Sequence, residues 1–265
     1  MTHELEYSKM DATDFPPRTP WANGFPAVTI HATVAERDRH PCYAKAKAGD
    51  TDDALSLAQD LVSPEACRLL RQIVGAEPAT LLPVTALEVA GFNAIPDAVA
   101  QVLGQTLGWP VSSGEIVQAN KVGHTRARAF NRMVTPAVFE GRVYAGTRYV
   151  LVDDHVGLGG TLANLKGFVE HQGGFVAAMT TLTESREASQ IVLHADTRNM
   201  LWQRHGQPLD QLWRAAFGHG LDCLTNVEAA ILCREQSVDA IRDRLAQAAI
   251  EARGRGLNPV VAVED

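Results

Sequence analysis

The spacing of apolar residues along this chain changes character twice. Between residues 78 and 183, short apolar runs alternate with stretches of helical period. Thr80–Val84, Val111–Gln118, Tyr149–Val152 and Phe175–Leu182 have the length and composition of buried strands. Between them, Ile95, Val99, Val102, Leu103 and Leu107 share one face of a helix that Gly108 closes. A second helix, Thr161–His171, turns Leu162, Leu165, Phe168 and Val169 inward and stops at Gly173-Gly174. Before this block the pattern is weaker. Phe15-Pro16-Pro17 and Asn23-Gly24-Phe25-Pro26 are turn and extended signals of an arm, and a short strand is expected at Ala27–Thr33. Two punctuated helices follow. Asp52–Leu61 opens after Gly49-Asp50-Thr51, and Pro64–Val74 has Ser63 as cap, proline at its first position and Gly75 as stop. After residue 183 the chain reads as helical: Thr225-Asn-Val-Glu228 is a capping box, and Ser237 caps a helix with Val238, Ile241, Leu245 and Ala248 inward. Strand–helix–strand alternation of this kind predicts an α/β fold, a mainly parallel sheet flanked by helices.

Composition narrows the class without naming a function. At 265 residues, 46% hydrophobic and 21% charged, the chain is an ordinary globular protein with room for a large core. Lys and Arg total 24 against 31 Asp and Glu, a formal charge of −7, which is not the footprint of broad duplex binding. No helix-turn-helix pattern or basic stripe stands out, so nucleic acid is not an expected partner. Cys42, Cys67, Cys223 and Cys233 show no paired spacing, and no long apolar run suggests a membrane. The expected location is the cytoplasm.

The chemistry concentrates in Tyr149-Val-Leu-Val-Asp153-Asp154-His155-Val156-Gly157-Leu158-Gly159-Gly160-Thr161-Leu162. A buried strand delivers two adjacent carboxylates to its end, and a glycine-rich turn opens a helix. Ligands of open α/β sheets bind at that edge. The turn offers backbone N–H groups and a helix N-terminus to a phosphate, with the Thr161 hydroxyl added. The carboxylates cannot hold phosphate; they suit hydroxyl groups or a magnesium ion beside it. A dinucleotide fingerprint fits poorly, because Leu162 stands where a third glycine belongs, and the lysine of a Walker loop is absent.

This segment resembles the phosphoribosyl diphosphate (PRPP) signature of type I phosphoribosyltransferases: apolar strand, two acids, two mostly aliphatic residues and a small-residue loop ending Gly-Gly-Thr. The resemblance implies that Asp153 and Asp154 hold the ribose hydroxyls of PRPP and that Gly157, Leu158, Gly159, Gly160 and Thr161 hold its 5-phosphate. His155 and Gly157-Leu158 depart from the usual pattern, leaving more of the phosphate binding to backbone N–H groups. It further implies a pyrophosphate cradle after an earlier strand, where Thr85 and Ala86 lie, with Glu88 unexpected beside a polyanion. A long basic loop that closes over PRPP falls in Lys121–Gly141. Lys121 and Arg128 are its candidate catalytic residues, Lys121 also facing pyrophosphate, and His124, Arg126 and Arg132 lie in the same stretch. The division implied is an N-terminal arm and hood (1–77), a phosphoribosyltransferase-like core (78–183) and a helical C-terminal extension (184–265). His40-Pro41-Cys42-Tyr43, Lys45 and Lys47 fall in the hood, while Trp202 and Trp213 are expected to pack the extension onto the core.

The implied reaction moves ribose 5-phosphate from PRPP to a nitrogen acceptor such as a nucleobase and releases pyrophosphate. Magnesium would enter with PRPP near Asp153 or Asp154, with no direct protein ligation. The implied assembly is a homodimer. The alternative is a PRPP- or nucleotide-sensing regulator of the same fold that does not turn over its ligand. The acceptor itself is not legible.

Overall fold

The computed structural model of the chain describes residues 18–88, 91–120 and 129–261. Its centre is a four-stranded parallel sheet in the order β1-β8-β7-β2, formed by β1 (Thr29–Ile30), β8 (Phe175–Glu184), β7 (Arg148–Val156) and β2 (Thr80–Pro83). Parallel bridges Leu81–Val111 and Thr85–Val117 carry the sheet toward β5 (Ile116–Gln118), which pairs antiparallel with β6 (Phe139–Gly141). The architecture is therefore the expected α/β one.

Both faces of the sheet are covered, which explains why its strands read as continuous apolar runs. On one face Val150, Val152, Ala178 and Leu182 pack with α3 (Thr51–Leu61), α4 (Pro64–Val74) and α5 (Ile95–Leu107). On the other, Tyr149, Leu151, Val176 and Met179 pack with Leu162, Leu165, Phe168 and Val169 of α7 (Gly160–His171). A third core holds the C-terminal helices together: α8 (Ala195–Phe217), α9 (Asn226–Leu232) and α10 (Val238–Gly254). The capping signals act as read. Ser63, Thr225 and Ser237 accept backbone N–H bonds at the starts of α4, α9 and α10, and Gly108 ends α5 in the left-handed conformation.

Several expectations need correction. Only Thr29–Ile30 of the Ala27–Thr33 segment forms a strand, and only Ile116–Gln118 of Val111–Gln118. The hood contains two short helices that the pattern did not reveal, α1 (Val34–Arg39) and α2 (Tyr43–Lys47). Thr85–Asn93 includes a small antiparallel pair, β3 (Leu87–Glu88) with β4 (Gly91–Phe92). The basic segment is not a loop throughout. Its second half forms α6 (Ala129–Val134), because Phe130, Met133 and Val134 bury themselves against the C-terminal helices, and then β6. Trp202 does not pack the extension onto the core; it is 46% exposed on α8, whereas Trp213 is buried.

Candidate functional site

A cleft of about 700 Å³ opens at the carboxyl ends of β2 and β7, within the size range of small-molecule sites. Its walls include Ala86, Asp153, Asp154 and all of Gly157 to Thr161, so the acidic pair and the glycine loop face one space. The structure therefore unites most of the candidate residues. Thr85 is not among the lining residues; its carbonyl accepts the Gln118 N–H at 2.8 Å. Lys121 and Arg128, with His124 and Arg126, lie outside the described residues.

The strand β7 does not end before the acids; it runs through them to Val156, with Asp153 opposite Thr181 and His155 opposite Thr183. Strand alternation puts Asp154 on the face of Val150 and Val152, the face that the N-terminal helices cover. There Lys47 of α2 donates to Asp154 Oδ2 at 2.7 Å. The Asp154 N–H in turn donates to Asp153 Oδ1 at 2.8 Å. Both carboxyls are buried, and the consequences differ. Burial, reinforced by the neighbouring Asp154 charge, raises the Asp153 carboxyl well above the ordinary carboxylate range. Burial also works against Asp154, but the Lys47 ammonium and its hydrogen bond outweigh it and hold that carboxyl below its usual value. Of the two, Asp154 is the carboxyl that more readily holds its negative charge.

The glycine loop follows at once. Gly159 sits at φ +81°, and a Cβ there would meet Ile191 Cγ1 and Cδ1 at 3.0 Å and Thr225 Cγ2 at 3.1 Å, so only glycine fits. The Thr225 hydroxyl donates to the Leu158 carbonyl, which turns that carbonyl toward α9 and sends the Gly159 N–H the opposite way. Among the described residues, no backbone carbonyl accepts from the N–H groups of residues 157 to 161. This is the donor array that an anion at a helix N-terminus needs.

Cations lie around the array. Arg132 of α6 reaches Gly157, where a Cβ would meet its Nη1 at 3.0 Å. Burial pulls its guanidinium pKa below the ordinary value. Arg18 forks onto the buried Glu228 at 2.6 and 2.9 Å and bonds Asn164 Oδ1 at 2.6 Å, tying the N-terminal segment to α7 and α9 beside Gly160. That pair is neutral as a unit. Burial opposes the Glu228 charge, and Arg18 more than compensates, holding it below its ordinary pKa.

The N-terminal helices α1 and α2 contribute a third wall. Arg37 lies 4.7 Å above the Tyr43 ring and donates to Thr183 Oγ1 at 2.9 Å, while its Nη1 faces His155 Nδ1 at 3.4 Å. A guanidinium only donates, so His155 Nδ1 is the acceptor and its Nε2–H points to Ser185 Oγ, 2.8 Å away. Burial, aided by the Arg37 charge, lowers the His155 pKa and keeps the ring neutral. The sequence pattern assigns no role to Arg18 or Arg37, gives Glu228 only a place in a capping box and Lys47 only a loose place in the N-terminal segment. The single available signal was the Thr225–Glu228 capping box, whose second use as the clamp on Leu158 and Arg18 has no local signature.

Fold and site together define an α/β protein with a cleft at the carboxyl end of a parallel sheet, acidic on one side and rich in N–H donors on the other. No protein-family description matches the chain. It is similar to protein TraN of Escherichia coli, 38% identical over 238 residues, covering 90% of this chain and 53% of TraN. It is also similar to an uncharacterised Haemophilus influenzae protein, 41% identical over 152 residues, covering 57% of this chain and 34% of that protein. The chain thus spans about half the length of TraN and about a third of the other. Among solved structures, adenine phosphoribosyltransferase from Thermoanaerobacter pseudethanolicus overlaps at TM-score 0.31 with 20% identity, over 49% of this chain and 73% of that one. Adenine phosphoribosyltransferase from Leishmania tarentolae gives 0.31 and 17%, over 66% and 78% of the two chains. Orotate phosphoribosyltransferase from Mycobacterium tuberculosis gives 0.27 and 16%, over 52% and 61%. Among the described residues, no helix is long and apolar enough to cross a membrane.

Proposed function

We propose that the cleft binds the ribose 5-phosphate portion of PRPP and that the protein transfers it to a nitrogen acceptor such as a nucleobase. The observation that carries this reading is the union, on one β7–α7 unit, of a carboxylate pair suited to sugar hydroxyls and a glycine turn whose N–H groups meet no carbonyl among the described residues. In this reading the 5-phosphate rests on Gly157 to Thr161 with Arg132 beside Gly157. Asp154, whose charge Lys47 supports, accepts hydrogen bonds from the ribose hydroxyls, with Asp153 beside it. The bond from the anomeric carbon to pyrophosphate breaks, and its electron pair leaves with the pyrophosphate. The acceptor nitrogen supplies the pair for the new bond and loses a proton. Catalysis of this kind is positional and electrostatic. Lys121 and Arg128 are proposed to meet the departing pyrophosphate, next to Ala86.

Among the described residues, no group of three or more His, Cys, Asp or Glu could hold a metal ion. In this proposal magnesium is the counter-ion that PRPP brings with its diphosphate, where it would spread the leaving charge. Binding without turnover is the second reading. It is favoured by Gly157-Leu158, which place no hydroxyl in the loop ahead of Thr161. A thermal-shift series with ribose 5-phosphate, PRPP and nucleoside 5′-monophosphates tests the shared premise, because a ligand bound only to the folded state raises the melting temperature. Stabilisation by each is expected; no response to any of them overturns the proposal. Pyrophosphate release from PRPP with magnesium and a panel of nucleobases then separates transferase from sensor.

A further inference from the structure

The acidic pair has a companion that neither its own strand nor the glycine loop supplies. Lys47 comes from α2, more than a hundred positions earlier in the chain, and places its ammonium 2.7 Å from Asp154 Oδ2. Its stem is largely covered, with 29% of the side chain exposed, and the Asp154 side chain is 11% exposed, so solvent screens this pair little. The surroundings fix the arrangement. Tyr43, one turn before Lys47 on the same helix, is pinned under Arg37, and Arg37 is bound to Thr183 of β8 and to Asp38. The helix carrying Lys47 is thus anchored to the sheet edge that carries Asp154. Besides Arg37 and Tyr43, the same cleft is lined by the ionisable groups Asp153, His155, Arg132, Arg18, Glu228 and Arg255.

Resting on the reading of the cleft as a ribose 5-phosphate site, we propose that the Lys47 ammonium is the resident cation of its ribose end, so that a ribose 5-phosphate group binds there without a divalent ion. Sugar hydroxyls need a carboxylate that is charged yet not left alone in a buried site, and some cation must balance it. A divalent ion is the common solution. Here a dication on Asp154 Oδ2 would be set against an ammonium already on that oxygen, so the donor set disfavours it. Lysine supports the carboxylate charge beside the sugar without a second cation. Magnesium would then matter only for the diphosphate of PRPP, at the other side of the anomeric carbon.

Calorimetric titration of the full chain with ribose 5-phosphate, which has no diphosphate, isolates this end of the cleft. The wild-type Kd should change less than twofold between EDTA and millimolar magnesium. Lys47→Met keeps length and apolar stem but removes the charge; its Kd in EDTA should rise about tenfold, the size of one charged hydrogen bond. Magnesium should restore much of that loss, and Lys47→Arg should bind as wild type in EDTA. A response to magnesium of this kind would not follow if Lys47 merely supported α2, and a melting curve for each variant reports folding separately. Wild-type binding that requires magnesium, or a Met variant that binds as wild type in EDTA, overturns the role of Lys47 while leaving the cleft assignment standing. A wild-type protein that binds no ribose 5-phosphate in either condition overturns both.

Discussion

The two ends of the cleft are built on opposite principles. The glycine-loop end is main chain: a left-handed glycine, a carbonyl pulled aside by Thr225 and a row of N–H groups at the start of α7. The acidic end is side chain: Asp153 and Asp154 from β7, Lys47 from α2, and Arg37 from α1 locking His155. A main-chain site depends on local conformation and so is written in neighbouring residues. A side-chain site depends on partners brought in from far away, and each of its charges has a fate set by those partners. Asp153 and Asp154 make the point within one dipeptide, since the pKa values of adjacent buried carboxyls shift in opposite directions, Lys47 holding that of Asp154 down.

Acid should have the largest effect, and it should strike the scaffolds of both ends. His31 on the hood side accepts the Ser63 N–H and faces Thr180 Oγ1, and burial lowers its pKa from 6.5 to about 4. His219 sits beside the Arg18–Glu228 clamp, and burial followed by the Arg18 charge lowers it from 6.5 to about 4 as well. Because the folded-state value is the lower one, the unfolded chain takes up these protons first as pH falls. The stabilisation is complete above about pH 6.5 and is lost progressively toward pH 4. It amounts to on the order of 3 kcal/mol per histidine. Urea melts from pH 7 to 4 should show this decline, and His31→Gln should flatten part of it. An unchanged midpoint across that window would contradict the buried neutral state of both rings.

Asp154→Asn should come next, lowering ribose 5-phosphate affinity about 100-fold by removing the charge that Lys47 meets. Its affinity for inorganic phosphate should stay at the wild-type value, because the loop is untouched. Equal loss of both ligands would show that the two ends are not separable.

Gly159→Ala is the converse and the smallest. A side chain at φ +81° pressing on Ile191 and Thr225 should cost about 1–3 kcal/mol of stability, and a displaced loop should weaken inorganic phosphate along with ribose 5-phosphate. Crossed titrations of the two variants with the two ligands, beside thermal melts, give the result directly. A Gly159→Ala protein that keeps its phosphate affinity would break the main-chain account of that end.

Much of the framework was legible from local signals. Val150, Val152, Leu162, Leu165 and Phe168 announce a buried strand and the helix behind it, and Ser63, Gly108 and Ser237 mark helix ends where capping chemistry acts within a few residues. The errors fall where local signals end. Val111–Gln118 has the composition of a strand, but after a single bridge at Val111 a continuous ladder forms only from Ile116, since ladder partners and not composition decide where a strand forms. The basic stretch looked like a loop because its charges hide the Phe130, Met133 and Val134 face that α10 and its neighbours bury.

What the sequence determined by itself is the α/β order of elements, the acidic pair and the glycine turn, all governed by interactions within a few residues or by period along one element. What only the tertiary structure decided is the electrical state of the site. Lys47 lies 107 positions from Asp154, Arg37 lies 118 from His155, and Arg18 lies 210 from Glu228. Charges in a buried cleft answer to distances of a few ångströms in space, and chain folding sets those distances with no trace in residue spacing.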